Sequence, residues 1–153
     1  MRQVIYTLLL TSLMIAFPSA KAMAQDALFE KFNDVDGITT IYISKTMLQM
    51  IPNVKTGKHD ISSIAAKLDQ LRVLTCERPS MIASVKKHAL EVYNNGKYEV
   101  AMQINDSGEH VTIYHKKLNK EKSEFALLAE ETDEITIISL QGKITLKDIQ
   151  LIK

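Results

Sequence analysis

The sequence predicts a single α+β domain: an antiparallel β-meander in the C-terminal half, packed by helices mainly from the N-terminal half plus a C-terminal helix. Three observations predict it. Apolar residues recur at helical spacing up to Val92 and alternate from Lys97 onward, as the period of a strand demands. The alternating runs YEVAMQIN, VTIYHK, EFALLAE and ITIISL are separated by NDSGE, KLNKE and ETDE, polar connections short enough to join antiparallel neighbours. The final stretch, ITLKDIQLI, returns to helical signals.

Taken in order, DALFEKFND places Leu28, Phe29 and Phe32 on one helical face, and Asp36-Gly37 breaks the helix. The β-branched, alternating GITTIYIS predicts a strand over Ile38–Ile43. Ser44 can cap a short helix through Met47, Leu48 and Ile51, which Pro52 stops. PNVKTGKHD reads as a surface loop. Asp60 is placed to cap a helix carrying Ile61, Ile64, Ala65 and Leu68, and LRVLTC follows as a short strand. Pro79 opens a long helix with Met81, Ile82, Val85, Ala89 and Val92 on one face, Lys86, Lys87 and Glu91 on the other, and Gly96 at its end.

In LQGKITLKDIQLIK a lone Gly142 precedes a short helical pattern. A phosphate-binding loop needs several glycines so that backbone amides can approach the anion, and one does not suffice. Thr145 as N-cap and Asp148 at N3 instead form a capping box, and Ile144 and Ile149 take the two positions of a hydrophobic staple. Leu146, Ile149 and Ile152 should then face the core, with Gly142 as the turn that lets the chain leave its strand.

The first residues read as a secretory signal spanning 1–24, ahead of the domain at 25–153. Arg2 supplies the cationic start, Val4–Phe17 the apolar region, and Ala22-Met23-Ala24 the small residues before a cut after Ala24. A spanning helix needs about 20 apolar residues, so this stretch is too short to anchor the chain, and no later stretch is long and apolar enough. The expected product is exported, periplasmic or secreted, and soluble, without the cysteine at the cut that lipid attachment requires. Removing Arg2 and Lys21 turns the formal net charge from +1 to −1, which leaves no footprint for nucleic acid.

Candidate chemistry is sparse. Cys76 is the only cysteine, so no internal disulfide can form, and its place at the end of an apolar strand predicts a buried thiol. A reactive Cys76 needs an exposed, electropositive niche, which only the neighbouring Glu77 and Arg78 could offer. His110 and His115 lie five apart on a strand and point to opposite faces, His88 and Glu91 are helical neighbours, and His59 is in a loop. No metal-ligand spacing is present, so neither a metal nor another cofactor is expected. Ser44-Lys45 could suggest a nucleophile and base, but adjacent helical residues point about 100° apart and Ser44 is assigned to the cap.

Drawn as a meander, the sheet carries Asp106, Glu109, Glu130, Glu131, Asp133 and Glu134 at one end, and Lys116, Lys117, Lys120 and Lys122 at the other. His110, Thr112 and Tyr114 share the strand face opposite Val111 and Ile113, an expected polar-aromatic outer side. With Glu130, Glu131, Asp133 and Glu134 these three are the candidate interaction residues. EFALLA and ITIISL are apolar on both faces, as central strands covered by the domain's own helices would be, or as an interface would be.

LFEKFNDVDGITTIYISKTMLQMIP, KLDQLRVLTCE and ITIISLQGKITLKDIQLI together resemble the start, middle and end of the secreted bacterial family catalogued as domain of unknown function 4252. The matching positions are Phe29, Lys31, Phe32, Gly37, Tyr42, Ser44, Lys45 and Met47, then Ser139, Gly142 and Ile144. The resemblance implies an exported α+β domain of the Gram-negative envelope with no established activity, cofactor or substrate, and it carries over no catalytic residue. The expected function is a non-catalytic binding or protein-interaction module of the cell envelope, with an envelope protein or a second copy as partner. The alternatives are a small thiol-dependent hydrolase around Cys76 and a small-ligand carrier with a pocket between sheet and helices.

Overall fold

A computed structural model describes residues 23–51, 53–56 and 59–152, apart from the side chains of residues 23, 24, 56 and 59. The expected signal segment up to residue 22, and Pro52 as a helix stop, lie outside the described residues. The elements run α1 (Met23–Lys31), β1 (Ile38–Ser44), α2 (Lys45–Met50), β2 (Lys55–Thr56), β3 (His59–Asp60), a 3-10 turn (Ala65–Lys67), β4 (Leu68–Cys76), α3 (Pro79–Asn95), β5 (Glu99–Asp106), β6 (Glu109–Lys117), β7 (Ser123–Glu130), β8 (Ile135–Gly142) and α4 (Leu146–Ile149). The expected α+β architecture is the one observed.

Strands β5 to β8 form the antiparallel meander, and β4 then pairs with β8 and β1 with β4. The result is one six-stranded antiparallel sheet, ordered β1-β4-β8-β7-β6-β5, with β1 and β5 at its edges. Strand alternation divides the apolar side chains between two cores. On one face Leu71, Val73, Ile113, Phe125, Leu127, Ile138 and Leu140 meet Leu48, Ile61, Ile64, Ile144 and Ile149. On the other, Leu74, Ala126, Leu128, Ile135 and Ile137 meet Leu28, Phe29 and Phe32 at α1 and Val85, Ala89 and Tyr93 of α3. The two-sided apolar character of β7 and β8 thus follows from their central place under two layers of the protein's own chain.

The local signals act largely as expected. The Ser44 side chain accepts from the Met47 N–H at the start of α2, and Thr145 and Asp148 form the reciprocal capping box of α4. Gly142 is needed for close approach: a side chain there would run into the Lys67 carbonyl oxygen and the Leu68 Cα where β4 begins.

Four expectations are corrected. The segment after Asp60 is a turn followed by a 3-10 helix, because the Asp60 carboxylate accepts both the Ser62 N–H (2.9 Å) and the Ser62 hydroxyl (2.6 Å), holding the chain in a local turn. Ile61, Ile64, Ala65 and Leu68 are nonetheless buried. The expected loop before it contains the two-residue pairing of β2 with β3. Within α3 the innermost positions are Val85, Ala89 and Tyr93, with Met81, Ile82 and Val92 partly covered. Leu146, the first residue of α4, is exposed, and the burial of that turn is carried by Ile149 together with Ile144.

Candidate functional site

The sequence candidates separate once placed. Cys76 is fully buried, and its thiol reaches the Arg78 carbonyl oxygen at 3.6 Å. The described histidines engage other groups: His88 the Ser84 carbonyl, His110 Asn105 and Thr112, and His115 the Ser123 hydroxyl at 3.1 Å. Among the described residues no three His, Cys, Asp or Glu side chains group as metal ligands.

Thr112 and Tyr114 are buried, which corrects the expected polar-aromatic outer side. They share a face with His110 as expected, but α3 lies over that face and the Tyr93 ring stacks on Tyr114 with centroids 4.4 Å apart. His110, beyond this cover, is partly exposed. Glu130 pairs with Lys86 of α3 at 2.6 Å, and Glu134 accepts from the Thr136 hydroxyl. Glu131 and Asp133 lie in the same β7–β8 turn, where the Glu131 N–H donates to the Glu134 carbonyl. The candidate set is therefore divided between a covered sheet face and a solvated turn, and forms no single site.

A polar group that sequence reading passed over lies beneath α1. Glu124 of β7 is buried, and burial raises its pKa above the ordinary value while hydrogen bonds from Tyr98 and Ser139 oppose the shift. Ser139 donates to its Oε1 at 3.2 Å, and the Tyr98 hydroxyl also reaches the Gln25 side-chain oxygen at 2.9 Å. Tyr93 stands edge-on to Tyr98, and the Lys116 ammonium lies over the Tyr98 ring at 5.0 Å. Burial pushes the Tyr93 and Tyr98 phenols upward, and the nearby Glu124 charge adds to that push. The Tyr93 hydroxyl and the Gln25 side-chain nitrogen find no hydrogen-bond partner among the described residues. The one sequence signal was a charged residue immediately before the apolar run Phe125–Ala129 of a central strand.

The second feature is an edge. Strand β1, ITTIYIS, has no charged residue and, among the described residues, pairs on one side only. Ile41 and Tyr42 are 46% and 58% exposed, and Met47 and Met50 of the adjoining α2 are 48% and 71% exposed. Natural edge strands are commonly protected by charge, proline or a bulge, and β1 has none of these. The other edge, β5, has Glu99, Asp106 and a bulge between Val100 and Met102.

Beside β1 a cleft of about 220 Å³ is lined by Phe29, Glu30, Asn33, Thr40, Tyr42 and Arg72. Arg72 is held there by Asp26 at 3.2 Å and by the faces of Phe29 and Tyr42, at 5.7 and 5.0 Å from the ring centroids. A cleft of about 280 Å³ lies between α1 and α3, and one of about 290 Å³ between His115, Ser123 and α4. All three fall just below the usual size of a small-molecule site. The third holds a Ser123–His115 contact, but no carboxylate lines it to orient the histidine.

No curated protein matches the chain. A crystal structure of PA94, a protein of unknown function from Pseudomonas aeruginosa, aligns with 77% of this chain and 76% of its own, at 8% identity and a TM-score of 0.35. The family model described as Domain of unknown function (DUF4252) matches residues 32–152, and the chain belongs to that family.

Proposed function

We propose that the protein is an exported, non-catalytic interaction module of the bacterial cell envelope that docks partners along the β1 edge. The observation that carries this reading is the uncharged, one-sided β1, with Ile41 and Tyr42 exposed on it and Met47 and Met50 beside it. An added strand takes its affinity from main-chain hydrogen bonds and its selectivity from side-chain clefts, and the Arg72 cleft is placed for the second role. Burial of Cys76 weighs against the thiol-dependent hydrolase.

Export is supported by the charged, apolar and small-residue order of the first 24 residues, and among the described residues no helix is long and apolar enough to cross a membrane. Fractionation followed by mass spectrometry of the N-terminus tests it. Recovery in the periplasmic or secreted fraction with Gln25 first is expected; a cytoplasmic chain retaining Met1 would refute export.

A further inference from the structure

We propose that β1 docks onto β1 of a second copy of this chain, antiparallel across a two-fold axis through Ile41. This inference rests on the reading of β1 as a docking edge and names its occupant. Three observations carry it.

Hydrogen-bond direction comes first. The Gly37 carbonyl accepts from the Glu77 N–H at 3.1 Å, and Gly37 and Glu77 continue the β1–β4 register by one pair. Alternation then turns the backbone groups of residues 39, 41 and 43 toward β4, and those of Thr40 and Tyr42 outward. With Ile41, the middle residue of Ile38–Ser44, on the axis, Thr40 of each copy meets Tyr42 of the other as a hydrogen-bonded pair. Ile41 meets its own copy as a non-hydrogen-bonded pair.

Charge is the second. The strand is uncharged, but its flanks are not: DVDG, with Asp34 and Asp36, precedes it and Lys45 follows it. In this register the start of α2, where Lys45 and Lys122 share Asp69 at 3.2 and 2.6 Å, falls by Gly37 of the other copy, where Asp34, Asp36 and Glu77 outnumber Arg78, which reaches the Asp36 carbonyl at 3.5 Å. Parallel pairing would set lysine against lysine. Antiparallel self-pairing sets the net-cationic Lys45–Lys122–Asp69 end of each copy by the net-anionic Asp34–Asp36 end of the other.

Shape is the third. Thr40 and Tyr42 point to the same sheet face, and the cleft there is lined by Phe29, Glu30, Asn33, Thr40, Arg72 and Tyr42 itself. Directly opposite residues in a ladder lie close enough for side-chain contact. The exposed edge of the Tyr42 ring of one copy, whose face lies on its own Arg72, thus meets Thr40 at the mouth of the other copy's cleft, and the reverse, an isologous contact that closes on itself.

The test is sedimentation velocity on the protein over a wide concentration range, together with oxidation of two single-cysteine variants. The buried Cys76 stays silent in both. Expected are a monomer–dimer equilibrium, rapid disulfide dimerisation of Ile41→Cys, and slow dimerisation of Val100→Cys on the opposite edge. Ile41→Lys, which sets two like charges on the axis, should weaken the dimer by more than about tenfold while the far-ultraviolet spectrum is kept. A wild-type chain that stays monomeric at every concentration overturns the proposal, as does Val100→Cys linking as fast as Ile41→Cys. If the monomer still captures another protein from position 42 in cells, only the second-copy assignment falls and the docking edge stands.

Discussion

Glu124 is a carboxylate kept where water would suit it better. Burial raises its pKa, so the native protein holds that proton more tightly than the unfolded chain does. From the ordinary value of 4.5 up to the raised one, the native state therefore binds more protons, and stability falls as pH rises. Glu124→Gln retains an acceptor for the Ser139 hydroxyl and removes the charge. Its melting temperature should exceed that of the wild type at pH 7, with the gain shrinking as pH is lowered toward 4.5. A constant gain, or a loss, at all pH values would show that the hydrogen bonds outweigh the buried charge. Cys76 makes an equally local prediction: a thiol reagent should titrate it only after denaturant is added, since the residue is fully buried.

Single elements depend on groups of few residues. The one-turn α4 is closed by Thr145 and Asp148, and the Asp148 carboxylate also meets the Lys67 ammonium at 2.6 Å. Lys67 and then the Thr145 groups hold the Asp148 pKa below its ordinary 3.8. The stabilisation is therefore present above pH 3.8 and is lost as pH falls through the lower folded value. Thr145→Ala should cost about 1 kcal/mol by denaturant unfolding at pH 7. An unchanged midpoint would mean that burial of Ile144 and Ile149 alone seats the segment. Gly142→Ala should cost more than the cap, because the added methyl meets backbone at the start of β4 and no flexible side chain can yield.

Legibility in the sequence also sorts by element. The Thr145–Asp148 box, the Ser44 cap and the four-strand meander depend on contacts within a few residues, and local spacing disclosed them. The insertion of β4 between β1 and β8 depends on pairings such as Leu71 with Leu140, far apart in the chain, and no local pattern encodes it. The turn after Asp60 went unread because a side chain competed with the helix for the Ser62 N–H. The site was hardest to read. Glu124 gains its meaning from Tyr98 and Ser139, and Tyr98 from Gln25, 73 positions away. Tyr42 is exposed only because β1 falls at the sheet's edge, and edge position is a property of strand order.

At the scale of the molecule, helical cover on both faces leaves the edges as the open places of the sheet, and only β5 carries charge and a bulge. The ends differ in sign. The β5–β6 and β7–β8 turns bring Asp106, Glu109, Glu131, Asp133 and Glu134 to one end, while Lys117, Lys120, Lys122 and Lys143 gather at the other, where Lys122 meets Asp69 and Lys143 meets Glu121. Strand β1 runs between these ends, so any partner laid antiparallel along it with the same polarity meets complementary charge at each end.

The most direct test of docking at β1 is photo-crosslinking in living cells. A benzophenone side chain is placed in turn at position 42 on β1 and at position 100 on β5, and the linked products are identified. Capture at position 42 of a defined partner, whether a second copy or another envelope protein, and little capture at position 100 is the predicted result. Equal capture at both positions, or capture only at position 100 by a folded and abundant protein, would contradict the account.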